Sequence, residues 1–171
     1  MALSVSPATL PIAPLARLSL IAGGVSALLL IGALGFQYIG GLRPCDICYW
    51  QRYVHVAVVV LAVAALVARG GLRTALFGLA VAAIAMSAGV ALYHMGIEWK
   101  WWPGPQTCSG AIPRGLSPEE LRRRIMETPP VRCDEIAWSL FGLSMAGWNF
   151  VISTALAAGL AITALRHRLP S

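Results

Sequence analysis

The chain has 171 residues, of which 58% are hydrophobic and 12% are charged, and its mean hydropathy is +0.73. A soluble domain could not cover that much apolar surface, so the composition predicts a membrane protein. The net charge is +6, but no basic face is concentrated enough to indicate nucleic-acid binding.

Four stretches without Asp, Glu, Lys or Arg are candidates for helices in lipid: 18–42, 53–68, 74–97 and 136–165. A transmembrane helix needs roughly 20 apolar residues. The second stretch reaches that length only if its helix begins near Tyr49, which places Arg52 in the first turns. We predict one all-α membrane domain over residues 1–171, a bundle of four transmembrane helices at 17–40, 49–68, 73–96 and 137–165.

The first predicted outer loop, residues 41–48, ends in the sequence Cys45-Asp46-Ile47-Cys48. Because a helix follows directly, Cys48 is predicted to lie near a helix N-terminus, where the partial positive charge favours thiolate over thiol. Arg52 follows one helical turn later, so its guanidinium would stabilise that thiolate and could hydrogen-bond an acceptor carbonyl. The alternative for Arg52 is snorkelling to lipid headgroups.

Charge predicts how the bundle is oriented. The ends and the short second connection have no acidic residue and carry five arginines: Arg17, Arg69, Arg73, Arg166 and Arg168. Short basic segments favour the cytoplasm. The other eight basic residues favour the opposite orientation, but most lie in one segment of about forty residues, where they count less. We therefore predict that all four cysteines lie on the side of the membrane away from the cytoplasm, where paired cysteines can stay oxidised.

The second predicted outer loop, residues 97–136, is rich in Pro, Gly, Trp and charge. Within it, Ser117-Pro118-Glu119-Glu120 has the pattern of a helix start, with Ser117 as the N-cap. We predict a short helix from Pro118 to about Glu127 that lies along the membrane surface. A solvated, charged helix is the alternative.

The cysteines allow several interpretations. A zinc site would need a second close pair, but twenty-four residues separate Cys108 from Cys133, so no metal site is predicted. A c-type haem needs His after the second Cys, where this chain has Tyr49. A structural disulfide remains open for Cys108 and Cys133. The small Cys45–Cys48 ring would add little loop-closure stability, so redox use is favoured. A redox pair at a membrane face needs an acceptor, and the lipid-soluble ones are quinones.

These motifs resemble the DsbB family of bacterial disulfide bond formation proteins, quinone-linked oxidases that regenerate the periplasmic thiol oxidase DsbA. The resemblance covers about residues 17–168. It depends on PCDICYWQR at 44–52, on Cys108 and Cys133 in the second outer loop, and on SLFGLSMAGWN at 139–149. Vitamin K epoxide reductase relatives have their loop pair before the CxxC, and here the order is reversed.

The resemblance implies a route for electrons. DsbA would attack a Cys108–Cys133 disulfide at Cys108, and Cys133 would then pair with Cys45 and free Cys48 as the thiolate at a ubiquinone or menaquinone. Arg52 and His94 match quinone-side residues of the family. The alternative for His94 is a hydrogen bond to a neighbouring helix, and His55 is expected to be a packing residue or to act behind the site. The alternative function is that of a non-enzymatic four-helix membrane protein with two structural disulfides.

Overall fold

The computed structural model of the protein describes residues 14–105, 115, 117–127 and 132–168. Along these residues follow α1 (Pro14–Tyr38), α2 (Asp46–Val67), α3 (Gly70–Glu98), α4 (Pro118–Glu127), β1 (Ser139–Leu140), β2 (Leu143–Ser144) and α5 (Met145–Arg168). In this part of the chain, α1, α2, α3 and α5 are long and apolar enough to cross a membrane. The prediction of an all-α membrane protein with four such helices is therefore confirmed.

The four long helices pack around a shared core. α2 packs against both α1 and α3, and α3 packs against α5, whereas α1 and α5 share a smaller interface. The central cluster of buried side chains includes Val58, Phe77, Ile84 and Leu160. Close approach of α1 to α2 depends on Gly23, because a Cβ added there would lie 2.9 Å from the Cβ of Ala62.

The outside of the bundle is also apolar. Several large aliphatic side chains are more than half exposed: Leu28, Ile31, Val60, Val63 and Leu165. An exposed apolar surface of this extent is unfavourable in water but matches a hydrocarbon environment. The bundle therefore has the exterior of a membrane protein as well as helices of the right length.

The last long helix begins later than the predicted residue 137. Ser139–Leu140 pairs antiparallel with Leu143–Ser144, and Phe141 and Gly142 form the turn with φ values of 52° and 80°. Such a two-residue turn with two positive φ values is typical of tight hairpins. The backbone amide of Gly147 donates to Ser144 Oγ at 3.0 Å, so the hairpin ends in the N-cap of α5.

The short helix α4 begins at Pro118. The amide of Glu120 donates to Ser117 Oγ at 3.2 Å, and Arg123 contacts the Glu120 carboxylate at 2.8 Å. Both contacts stabilise the first turn. The position of α4 along a membrane surface remains a prediction.

Candidate functional site

The cysteine pair lies at the start of α2. Cys45 is the N-cap residue, and its sulfur accepts a hydrogen bond from the backbone amide of Cys48 at 3.4 Å. The two sulfurs are 3.0 Å apart and both are free thiols. Cys48 is thus in the first turn of the helix, as the sequence predicts, where the helix dipole favours a negative charge.

Residues from the end of α3 complete the surroundings of Cys45. His94 Nε2 lies 3.6 Å from Cys45 Sγ and 4.0 Å from a carboxylate oxygen of Glu98, one turn further along. The side chains of His94 and Glu98 are each only 6% exposed. Ser144 Oγ donates to the Glu98 carboxylate, which ties this end of α3 to the N-cap of α5.

The two sulfurs of the pair are in different environments. Cys45 is buried, and its hydrogen bond with Cys48, together with burial, raises the pKa of the Cys45 thiol. The hydrogen bond from His94 acts in the opposite direction and lowers that pKa. Cys45 therefore tends to hold the shared proton, and the charge on its sulfur depends on His94.

Cys133 is buried in the same cluster as Cys45. The two residues belong to one buried cluster with Ile47 and Ile97, and Cys48 packs against its edge. Cys133 is 1% exposed and is disulfide-bonded. Its predicted partner Cys108 lies outside the described residues. The structure thus brings a cysteine of the segment between α4 and β1 to the CxxC pair.

Three ion pairs fasten the loop next to Cys133. Asp134 accepts from Lys100 at 2.7 Å and from Arg132 at 2.8 Å, and Arg132 also contacts Glu135 at 3.2 Å. The neighbouring Arg132 and Lys100 cations lower the pKa of the Asp134 carboxyl. Because Lys100 follows α3, these contacts join the loop to the end of that helix.

Cys45 and Cys48 also line a cavity. Its volume is about 130 Å³. Both polar and apolar side chains line it, including Cys45, Cys48, Arg52, His94, Glu98, Leu29, Phe36 and Trp138. An apolar groove between α1 and α5 shares Leu29, Phe36 and Trp138 with the cavity. The combination of thiol, cation and apolar walls fits a flat, lipid-soluble acceptor with carbonyl oxygens.

Arg52 is held rigidly at this cavity. Its guanidinium donates to the Gln37 side chain and, at 3.1 Å, to the carbonyl oxygen of Ala33. The same group lies 5.5 Å from the ring centroid of Tyr49. All these partners belong to α1 and α2, so Arg52 is fixed within the bundle rather than extended toward lipid headgroups.

The site also contains residues that the sequence did not single out. In the sequence, Glu98 looks like the first residue of a loop, yet its side chain is buried next to His94. Glu98 follows His94 by four positions, and this helical spacing could have indicated that the two side chains lie together. Gln51 Nε2 lies 3.1 Å from His94 Nδ1, and Asn149 Nδ2 donates to Gln51 Oε1 at 2.7 Å. Asn149 ends the segment 139–149 that carries the family resemblance, but nothing local predicts its connection to the cysteine pair.

The same side chains could also hold a metal ion. The two sulfurs and a ring nitrogen of His94 all lie within 4.8 Å of one another. Spacing along the sequence does not suggest this triad, because His94 comes from another helix. Two thiolates and one imidazole are a common ligand set for zinc, although the open cavity beside them fits an organic acceptor equally well.

Comparison with known proteins gives consistent matches. A family model described as disulfide bond formation protein DsbB matches residues 16–163. Disulfide bond formation protein B of Polaromonas sp. is 33% identical over 146 residues, which cover 82% of this chain and 84% of that protein. Proteins of the same name from Haemophilus influenzae and Burkholderia pseudomallei are 31% and 28% identical, and the matches cover 70% and 89% of this chain and 69% and 90% of theirs.

Proposed function

The chain belongs to the DsbB family of disulfide bond formation proteins, and from that premise we propose that it is a quinone-dependent thiol oxidase of the bacterial inner membrane. In this role it reoxidises a periplasmic DsbA-type protein and passes the electrons to ubiquinone or menaquinone. The catalytic residues are Cys45, Cys48, Cys108 and Cys133, and Arg52 and His94 lie at the acceptor.

The observation that carries this proposal is that Cys45 lies close to two other cysteines. Its sulfur is 3.0 Å from that of Cys48, and Cys133 belongs to the same buried cluster as Cys45. Cys48 in turn lines the cavity with Arg52. Electrons that arrive at Cys133 therefore have a short path through Cys45 to Cys48 and the cavity.

The thiol exchanges balance as follows. The DsbA-type dithiol reduces the Cys108–Cys133 disulfide, which leaves the partner oxidised and Cys108 and Cys133 as thiols. The Cys133 thiolate then attacks Cys45, so that a Cys133–Cys45 bond forms, the Cys45–Cys48 bond breaks and Cys48 leaves as a thiolate. Attack of Cys108 on Cys133 restores the first disulfide and releases Cys45 as a thiol.

Two electrons and two protons must then leave Cys45 and Cys48 for their disulfide to form again. A bound quinone supplies the acceptor for both. Arg52 has fixed hydrogen-bond partners and would orient a carbonyl oxygen beside Cys48, while Leu29, Phe36 and Trp138 provide an apolar wall. The groove between α1 and α5 leads from this wall and fits an isoprenoid tail.

An external acceptor is needed on energetic grounds. DsbA is a strong oxidant near −120 mV, and for a two-electron couple about 30 mV corresponds to about 1.4 kcal/mol. An ordinary disulfide would therefore not reoxidise DsbA efficiently. Transfer of the electrons to a quinone draws each exchange forward.

Quinone reduction by the purified protein tests the proposal. We expect reduced DsbA-type protein plus a soluble quinone to give continuous quinol formation, and Cys48→Ser to abolish it. In Cys133→Ala, the free thiol of Cys108 is expected to attack the disulfide of added oxidised DsbA-type protein, so that one partner sulfur leaves as a thiolate and a mixed disulfide forms. This mixed disulfide should persist because the resolving thiol is missing. A Cys133→Ala variant that turns over at the parent rate would contradict the relay.

The competing function is a membrane protein with two purely structural disulfides. That function predicts that no quinol forms under any of these conditions. It also predicts that each cysteine replacement lowers the thermal stability of the protein. The environment of Cys45 favours the redox function, because a buried histidine and a buried carboxylate next to a thiol pair are costly to maintain unless they serve chemistry.

A further inference from the structure

A chain of polar side chains crosses the core of the bundle and ends at Cys45. It draws on all four long helices, and its members are all buried or nearly so: Ser26, Gln51, His55, Ser87, His94, Asn149 and Ser153. Helices in lipid can pack through small residues alone. Seven polar side chains in one connected set therefore need a reason beyond helix association.

The hydrogen bonds along this chain of polar side chains run in one consistent donor-to-acceptor direction. Asn149 Oδ1 accepts from Ser153 Oγ at 2.9 Å and lies 3.0 Å from His55 Nε2, so His55 Nε2 carries the proton. His55 Nδ1 then accepts from Ser26 Oγ at 3.2 Å. Ser87 Oγ also contacts His55 Nε2, at 3.0 Å. The three serine hydroxyls can each donate or accept, so the direction is set by the Asn149 amide, whose oxygen faces His55 and whose nitrogen faces Gln51.

The same donor-to-acceptor direction continues from Asn149 to the thiol pair. With its oxygen turned to His55, Asn149 presents Nδ2 to Gln51 Oε1 at 2.7 Å. Gln51 must then present its nitrogen to His94 Nδ1 at 3.1 Å. An amide nitrogen only donates, so His94 Nδ1 is the acceptor and the ring proton is on Nε2, which faces Cys45 Sγ at 3.6 Å.

We propose that Gln51 and Asn149 are positioning residues that hold His94 with its Nε2–H bond directed at the sulfur of Cys45, and that His55 anchors Asn149 from behind. This inference rests on the proposed redox function and assigns it three further residues. A fixed N–H donor stabilises a thiolate on Cys45 relative to the thiol. Cys45 must lose its proton each time the disulfide with Cys48 forms again, so the bond matters at that step.

Other charged and titratable groups also surround Cys45. They are Cys48 of α2, His94 and Glu98 of α3, Cys133 of the same buried cluster, and the cavity residues Arg43, Arg52, Arg132 and Glu135. A variant that removes only the amide of Gln51 or Asn149 leaves all of these groups in place. A change in the reactivity of Cys45 in such a variant therefore reports on the orientation of His94.

The first test reads the tautomer of His94 directly. In protein labelled with ¹⁵N-histidine, with His94→Gln and His167→Gln used to assign the signals, the ring of His94 in the parent protein should carry its proton on Nε2. Gln51→Met keeps the length of the side chain and removes its donor, so both tautomers should then be populated. A parent protein with the proton on Nδ1 would overturn the proposal, whether or not any variant folds.

The second test follows the reactivity of Cys45 with no quinone present. In a protein with Cys48, Cys108 and Cys133 replaced by Ala, alkylation of Cys45 is measured against pH. Gln51→Met and Asn149→Leu should each slow alkylation about tenfold at a given pH, the effect of losing one hydrogen bond to a charged group, and move the profile to higher pH. Thr163→Val, which removes the hydroxyl that donates to Gly159 on the same α5, should leave the profile unchanged.

The outcomes separate this inference from the proposed function. If Gln51→Met and Asn149→Leu fold, as judged by thermal midpoint, and alkylate at the parent rate, the positioning role is wrong even though quinone reduction persists. If the parent protein fails to reduce quinone but both tests respond as expected, the redox proposal fails and the coupling of Asn149 and Gln51 to Cys45 stands.

Discussion

Cys45 and Cys48 are three residues apart, but their surroundings differ. Cys45 is enclosed by His94 and by the cluster that contains Cys133. Cys48 lines the open cavity with Arg52. In the proposed reaction, Cys45 exchanges disulfides with the outer segment and Cys48 meets the acceptor.

The guanidinium of Arg52 is expected to serve the acceptor half of the reaction. Arg52→Leu should reduce the rate of quinone reduction by at least about tenfold, because a fixed charge-assisted donor is lost. Thiol exchange between the protein and its reduced partner should stay within about twofold. Stopped-flow measurement of each half-reaction checks this, with Arg122→Leu in α4 as the control. Equal loss of both half-reactions would indicate a folding defect instead.

At the level of the helices, the contact of α1 with α2 depends on the absence of a side chain at Gly23. Gly23→Ala should destabilise the bundle by about 1–3 kcal/mol, because the new Cβ would overlap Ala62. A Cβ added at the adjacent Gly24 has no neighbour within 4 Å, so Gly24→Ala should be neutral or slightly stabilising. Thermal unfolding in detergent compares the two variants, and an equal response to both would refute the close contact.

The loop that carries Cys133 is expected to loosen in acid. Arg132 and Lys100 lower the pKa of Asp134 in the folded protein, so the ion pairs stabilise the loop fully above the ordinary pKa of 3.8. That stabilisation is lost progressively as the pH falls from 3.8 through the lowered pKa. Hydrogen exchange of the amides of residues 132–135, corrected for the intrinsic effect of pH, should therefore accelerate in acid. Asp134→Asn should show the faster exchange at neutral pH, whereas Glu119→Gln in α4 should not.

At the scale of the whole molecule, the bundle has a redox end and an opposite end. Cys45, Cys48 and Cys133 meet at the redox end, and at the other the Arg73 side chain caps α2 by donating to the carbonyl oxygens of Ala65 and Ala68 at 3.1 and 2.9 Å. This separation lets all the thiol chemistry take place on one side of a membrane. The basic flanks predict that this side is the periplasm.

The orientation can be tested with intact cells. After mild reduction of spheroplasts, a membrane-impermeant maleimide should label the cysteines, and a single Cys introduced at Arg69 in a cysteine-free background should react only after permeabilisation. The expectation follows from the short acid-free basic segments. Labelling of the cysteines only after permeabilisation would reverse the proposed topology.

Much of this architecture follows from local sequence alone. Apolar stretches long enough to span lipid must form helices there, because no other open structure satisfies its backbone hydrogen bonds, and so the four long helices are predictable. The N-cap at Ser117 is also predictable, because the pattern of residues 117–120 is local in the sequence. Cys45 and Cys48 lie at a helix start because the apolar run begins just after them, and their motif was sufficient to identify the family.

The composition of the site was decided by the tertiary structure. Cys45 and His94 are 49 residues apart, and Gln51 and Asn149 are 98 apart, so their contacts depend on which helices are neighbours and how each is rotated. The hairpin at 139–144 shortens α5 and brings Ser144 to Glu98. Sequence periodicity reports length and polarity along one helix but carries no information about its neighbour, and the polar chain to Cys45 exists only through neighbours.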